Sequence, residues 1–254
     1  MTTTQRPLAA SINLQSGGVI STLEEIRNVT MPKATKTWYP LPHHDIIENA
    51  RRALTSESLE VVDEAHALDH NGDRYFGLMS LRQKSGRDSH QDYQWIVGLR
   101  NSHDRSCAAG LAFGSQVFVC SNMSFTGDIK IQRKHTRFAH LDIPKLMMRA
   151  VGDMNEKLHG MDKRIQQYKE ASVTDSLAHD TIIRALDARV ICGQDVRRVL
   201  DQWRKPEHDC FQPRTAWSLF NGFTAVLRDT HLAALPQRTR SLHGVIDAQI
   251  GLSA

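Results

Sequence analysis

The densest run of chemically capable side chains in this chain is Arg100-Asn101-Ser102-His103-Asp104, at the end of its clearest strand pattern. A histidine beside a carboxylate suits acid–base work, and a neighbouring serine invites a nucleophile reading. Adjacent residues on a strand face opposite ways, so Ser102, His103 and Asp104 cannot form a triad among themselves. Three uses stay open: a turn held by Asn and Asp side chains, catalysis with His103, Asp104 and His135, or binding in which Arg100, Asn101 and His103 contact phosphate or base. A metal site could draw on His103, Cys107, Cys120 and His135, but no C-x-x-C or H-E-x-x-H spacing supports one. No metal and no cofactor is expected.

Gly-rich phosphate motifs are absent, which disfavours an enzyme driven by ATP or a dinucleotide. A basic segment is more telling. Between Lys130 and Arg149 six cations (Lys130, Arg133, Lys134, Arg137, Lys145, Arg149) stand against one acid, Asp142, and Arg100 and Arg105 close the preceding loop. Such a stripe beside a sheet can track a phosphate backbone, or simply defend a solvated edge. Phe125, Phe138 and Trp38 are the best placed aromatics for stacking on bases.

The elements that must position these residues follow from hydrophobic period. PLPHHDIIENARRAL places Ile46, Ile47, Ala50 and Leu54 at helical spacing. From Leu59 the period becomes two, with strands at 59–68 and 74–82 around an Asn71-Gly72 hairpin turn. Strands follow at 93–100, 115–120 and 128–136, with a polar loop at 84–90 and one wet face to the sheet. After Pro144 the pattern is helical: Met147, Val151, Met154, Leu158, Met161, Ile165 and Tyr168 form the seam of one long helix. Further helices open after Thr174, at Gln194, near Thr215 and in the tail. The predicted class is α+β, an antiparallel sheet of four to five strands followed by a mostly helical half. It divides as a flexible arm (1–36, with a short helix at 21–27), a helix plus sheet (37–142) and helices packing on the sheet (143–254).

Composition sets the bounds. The 254 residues carry 32 Lys and Arg against 28 Asp and Glu, a net charge of +4, with 40% hydrophobic residues. This is an ordinary globular balance. No apolar run is long enough to span a bilayer, the N-terminus lacks a secretory apolar region, and four irregularly spaced cysteines suggest reduced thiols. A cytoplasmic protein with no membrane partner is expected.

At Asn101-Ser102-His103-Asp104, Val119-Cys120 with Asn122, Arg133-Lys134-His135-Thr136 and Thr215-Ala216-Trp217…Asn221 the chain resembles the phage/plasmid-like proteins, an uncharacterised family of plasmids, phages and prophages. The resemblance covers roughly residues 40–245 and implies a mobile-DNA setting rather than a mechanism. A more remote likeness is to the single-strand annealing proteins of the Rad52 and phage-recombinase kind. It rests on the order of helix, antiparallel strands and long helix, and on Ala171-Ser172-Val173-Thr174-Asp175.

Together these favour a non-catalytic, homo-oligomeric DNA-binding protein of mobile elements that holds single-stranded DNA and promotes annealing in recombination or replication. Lys130, Arg133, Lys134 and Arg137 would neutralise phosphates, while Arg100, Asn101, His103 and Arg105 fix the strand's path. The alternatives are a metal-assisted nuclease or phosphoesterase using His103, Asp104 and His135, or an anti-restriction factor that binds a host protein.

Overall fold

The computed structural model describes Leu8 and residues 17–83, 93–117, 123–230 and 234–252, with side chains described everywhere in these except 117–130 and 155–159. The 84–90 loop, Cys120 and Asn122, and the side chains of Phe125 and Lys130, lie outside that description.

A six-stranded antiparallel sheet runs in sequence order: β1 (Val19–Ile20), β2 (Leu59–Asp69), β3 (Arg74–Gln83), β4 (Tyr93–Ser102), β5 (Ala109–Val117) and β6 (Met123–Arg133). The β2–β3 turn holds His70, Asn71 and Gly72 at positive φ (51°, 57° and 91°), as the Asn-Gly pair leads one to expect. The described residues of the N-terminal region are anchored, in part by β1, which pairs with β2. Leu8 is fully buried, its N–H 3.3 Å from Asp63 Oδ2, and α1 (Leu23–Arg27) buries Ile26. A capping box starts α1: Thr22 Oγ1 accepts from the Glu25 N–H at 3.2 Å, and the Glu25 carboxylate accepts from the Thr22 N–H at 2.6 Å.

The first long helix, α2 (His43–Ser56), follows Pro42 and turns Ile46, Ile47, Ala50 and Leu54 inward against β2 and β4. After the sheet come α3 (Ala139–Gly152) and α4 (Met154–Glu170). The predicted single long helix is thus interrupted at Asp153, beside the helix-poor Gly152. The described side chains of its seam (Met147, Val151, Met154, Met161, Ile165, Tyr168) are nonetheless all buried. The remainder is α5 (Asp175–Asp187), α6 (Gly193–Arg204), α7 (Ala216–Leu227) and α8 (Leu235–Gln249). Thr174 and Thr215 cap α5 and α7 through their hydroxyls, each accepting a backbone N–H at 3.2 Å. No helix among the described residues is long and apolar enough to cross a membrane.

The expected wet face is not there along β3 and β4. Neighbours of opposite parity, Leu78 with Met79 and Ile96 with Val97, are all 0% exposed. Phe76, Leu78 and Ile96 lie on the back face, and α8 packs along β6. On the front face, covered by α2 and α3, polar groups are threaded through the core. The Tyr75 hydroxyl lies 2.9 Å from His66 Nδ1, and Gly77 leaves the room for it. A Cβ at position 77 would overlap that hydroxyl and approach His66 Nδ1 to 3.1 Å. Gly77→Ala should therefore cost about 2 to 3 kcal/mol in urea unfolding. In a Tyr75→Phe background the cost should shrink by about 1 kcal/mol or more, because the overlapping oxygen is gone. Equal costs in both backgrounds would show that the overlap is not the cause.

Candidate nucleic-acid interface

The end of β4 does not open onto solvent. Asn101 points into the front-face core, 0% exposed, and ties three segments together. Its Nδ2 donates to the Leu41 carbonyl at 2.7 Å and to His43 Nδ1 at 2.9 Å, and its Oδ1 accepts from His135 Nε2 at 2.7 Å. His43 Nε2 donates to the Gly72 carbonyl at 2.9 Å, and His103 Nε2 to the Leu41 carbonyl at 2.9 Å. Carbonyls only accept, so the partners assign each ring: the three imidazoles carry their proton on Nε2. His43 and His103 stack face to face, centroids 3.9 Å apart and planes 11° off parallel. Tyr75 also stacks on His43, centroids 5.6 Å apart, linking the cluster to His66.

Burial keeps these rings neutral. It pulls His43 down to about 3, helped by the neighbouring His103, and His135 down to about 4. His103 is also lowered by burial, against the opposing Leu41 hydrogen bond and the nearby Asp73 and Asp104. A neutral, hydrogen-bonded stack is a brace. It holds the Trp38–Pro42 strap, the 103–107 loop and the 134–138 loop at one end of the sheet, where Tyr39 N–H also donates to the His135 carbonyl at 2.8 Å.

The rest of the polar run shapes the loop above. Ser102 Oγ donates to the Cys107 carbonyl at 2.8 Å and accepts from the Cys107 N–H at 3.1 Å, closing a turn that carries Arg105 at φ 66°. Asp104 accepts from the Ser106 N–H at 2.9 Å and from Arg74 Nε at 2.6 Å. Burial pushes its carboxyl up, but these two partners outweigh that and leave it below the usual range. Thus His103 and His135 share a cluster, whereas Asp104 makes its hydrogen bonds outside it, and the Ser102 hydroxyl is spent on the turn. Among the described residues no group of three His, Cys, Asp or Glu side chains could hold a metal ion.

What the brace presents to solvent is cationic and aromatic. The Arg105 guanidinium lies 4.9 Å above the ring of half-buried Trp38, which in turn packs 6.0 Å from His135. Lys134 and Arg137 flank the buried His135 and are exposed, and the Arg137 guanidinium lies 5.8 Å from the Phe138 ring, itself 58% exposed. Two of the cations expected here belong elsewhere. Arg133 is clamped on Asp142 through Nε at 2.9 Å and Nη2 at 2.7 Å, fastening β6 to the start of α3. Arg100, one residue from Asn101, projects to the back face, and the Lys130 side chain lies outside the described residues.

A family described as a domain of unknown function (DUF932) matches residues 33–243, nearly the whole of the chain beyond the N-terminal region. The chain belongs to the DUF932 family. No curated protein and no solved structure is found to match it. In this DUF932 chain the matched span begins just before Trp38 and so takes in the strap, the brace and both loops. His43 is the member of the brace that sequence reasoning missed. Taken with His44 and Asp45 it reads as part of a helix start, and nothing local signals a partner 58 residues away. Asn101 and His103, both candidates from the sequence, are buried and hydrogen-bond within the brace.

Proposed function

We propose that this protein binds single-stranded DNA across the surface formed by Arg105, Lys134 and Arg137, with Trp38 and Phe138 as stacking rings. One observation carries the reading: two aromatic rings, each with an arginine guanidinium over it, sit on loops braced from beneath by a buried imidazole cluster. Sequence-tolerant strand binding uses these components, cations for phosphates and π-faces for bases. A rigid support lowers the ordering cost of binding. The likeness to phage/plasmid-like proteins and to strand-annealing proteins supports a place in recombination or replication of mobile DNA. Annealing calls for two strands side by side, hence for a homo-oligomer.

The test is fluorescence anisotropy with a labelled oligo-dT of about 20 nucleotides, between about 50 and 200 mM salt. Affinity should fall with salt by about 0.7 log units per log unit for each phosphate neutralised. The triple variant Arg105→Ala, Lys134→Ala, Arg137→Ala should bind more weakly and flatten the slope by about 2. Phe138→Ala should weaken binding by about 1 to 3 kcal/mol with the slope unchanged. A triple variant with wild-type affinity and slope would sink the reading.

A further inference from the structure

Helix α3 is apolar on two opposite sides. Ala139, Ile143, Met147 and Val151, spaced by four, are buried where the helix packs on α2 and β6. Across the helix Leu141 and Met148 are 53% and 41% exposed. Phe138, the ring at the margin of the DNA-binding surface, stands three residues before Leu141. Steps of three, four and three run through Phe138, Leu141, Lys145 and Met148, the seam spacing of a helix that packs along another helix. Single exposed apolar residues are ordinary, whereas a row of them in register on one helix marks a contact surface.

The charge along this row has one sign. Lys145 and Arg149 are exposed on α3. Ser56 Oγ of α2 donates to Met148 Sδ at 3.6 Å, and exposed Arg52 stands one turn earlier on the same side of α2. None of these three cations makes an ion pair among the described residues. Asp142, the acid within α3, is held on Arg133, and Glu57 and Asp153 lie past the ends of α2 and α3.

That combination selects the occupant. A second copy across a two-fold axis would set Lys145 and Arg149 against their own equivalents with no carboxylate between them. A DNA strand stacks its bases on π-faces, which Leu141 and Met148 do not offer. A lipid surface takes a helix whose broad apolar side is free, and that side of α3 is spent on α2 and β6. An acidic helix with its own apolar stripe satisfies both the row and its cations.

We propose that the Leu141–Met148 face of α3 docks an acidic amphipathic helix of a partner protein. The partner's apolar residues seat on Leu141 and Met148, and its carboxylates reach Arg52, Lys145 and Arg149. Leu141 and Met148 stand about 10 Å apart along the axis, one heptad, so about two turns of the partner cover both. Met148 is unbranched and adapts to whatever apolar side chain it meets. These residues lie outside the DNA-binding surface, and the docking site does not rest on that reading.

Two fluorescein-labelled three-heptad peptides test this by anisotropy with the full chain. Both carry Leu at a and d; one has Glu at e and g, the other Lys. The Glu peptide should bind saturably, and the Lys peptide about tenfold more weakly or worse. Leu141→Ser with Met148→Ser should weaken the Glu peptide about tenfold or more and leave oligo-dT affinity within about twofold. Lys145→Glu with Arg149→Glu should reverse the preference, so that the Lys peptide binds the better. A wild-type protein that ignores the Glu peptide overturns the proposal, as does Glu-peptide binding that survives the serine pair or a preference that charge reversal leaves in place. Three further outcomes overturn it in favour of another occupant. The serine pair could cost oligo-dT as much as the Glu peptide, release the protein from phosphatidylserine vesicles, or split a dimer seen by particle mass. Should circular dichroism show that a variant does not fold, the wild-type protein decides. The Glu peptide must then shift the Met148 methyl resonance and leave that of buried Met161 in place, and the reverse pattern refutes the site.

Discussion

Asn101→Ala should destabilise the protein by about 3 to 5 kcal/mol in urea unfolding at pH 8, although it removes no apolar side chain. Truncation leaves two groups stranded in the core: the His135 Nε2–H donor and the His43 Nδ1 acceptor. Each unpaired buried polar group costs about 1 to 3 kcal/mol, and the vacated volume adds to this. The Leu41 carbonyl fares better, because it still accepts from His103 Nε2. Asn101→Asp separates this account from a generic packing defect. An aspartate offers only acceptors, so it can keep His135 but faces the lone pair of His43 Nδ1. Relief comes when His43 takes a proton on Nδ1 and pairs with the new carboxylate. The folded-state pKa of His43 is then raised, and stability from that pair grows as pH falls. The Asp variant should therefore gain on the Ala variant between pH 8 and pH 6. A constant gap, or a loss below about 1 kcal/mol in the Ala variant, would show that Asn101 does not organise the core.

How much of this could be read in the sequence depended on how local the cause was. The Asn71-Gly72 turn, the Thr174 and Thr215 caps and the inward ladder Tyr93, Trp95, Val97, Leu99 arise from near neighbours, and all were legible. What depends on distant packing was not. Both faces of β3 and β4 are buried, Phe76, Leu78 and Ile96 on the back face included, which alternation within one strand does not reveal. Strand β5 starts at Ala109 rather than at 115, because pairing with β4 and β6 draws Gly110 and Gly114 into the ladder. The same limit governs the site. A run of Arg, Asn, Ser, His and Asp looks identical in sequence whether it faces water or core. Here partners 58, 62 and 34 residues away (His43, the Leu41 carbonyl and His135) draw Asn101 and His103 inward. Asp142 was visible as the lone acid of the basic segment, yet only the turn into α3 brings it onto Arg133.

Acid should unfold this protein over an unusually high pH window. His43 and His243, both deeply buried, are held down to about 3, the first by burial and the neighbouring His103, the second by burial and Arg164. In the unfolded chain each would take a proton near pH 6.5. Between those values the unfolded state binds a proton that the folded state refuses, so stability is complete above pH 6.5 and drains away as pH falls toward 3. The two residues together remove about 3 kcal/mol per pH unit, hence about 4 kcal/mol by pH 5. His135, lowered to about 4, acts in the same direction. Against a typical total of 5–15 kcal/mol this brings the midpoint near pH 4 to 5. Ordinary carboxylates have unfolded pKa values near 4 and take up few protons above about pH 5.5, so the fall from pH 6.5 to 5.5 reports chiefly the histidines. Circular dichroism with urea at half-unit steps would measure it, and stability unchanged between pH 7 and 5 would refute it. Under the proposed function, DNA affinity provides a second readout, in which two effects oppose each other. Protonating surface histidines adds positive charge and should strengthen binding to phosphate, whereas loss of the brace under Trp38 and the 134–138 loop should weaken it. Affinity that falls together with stability below pH 6 would place the histidines beneath the binding surface rather than on it.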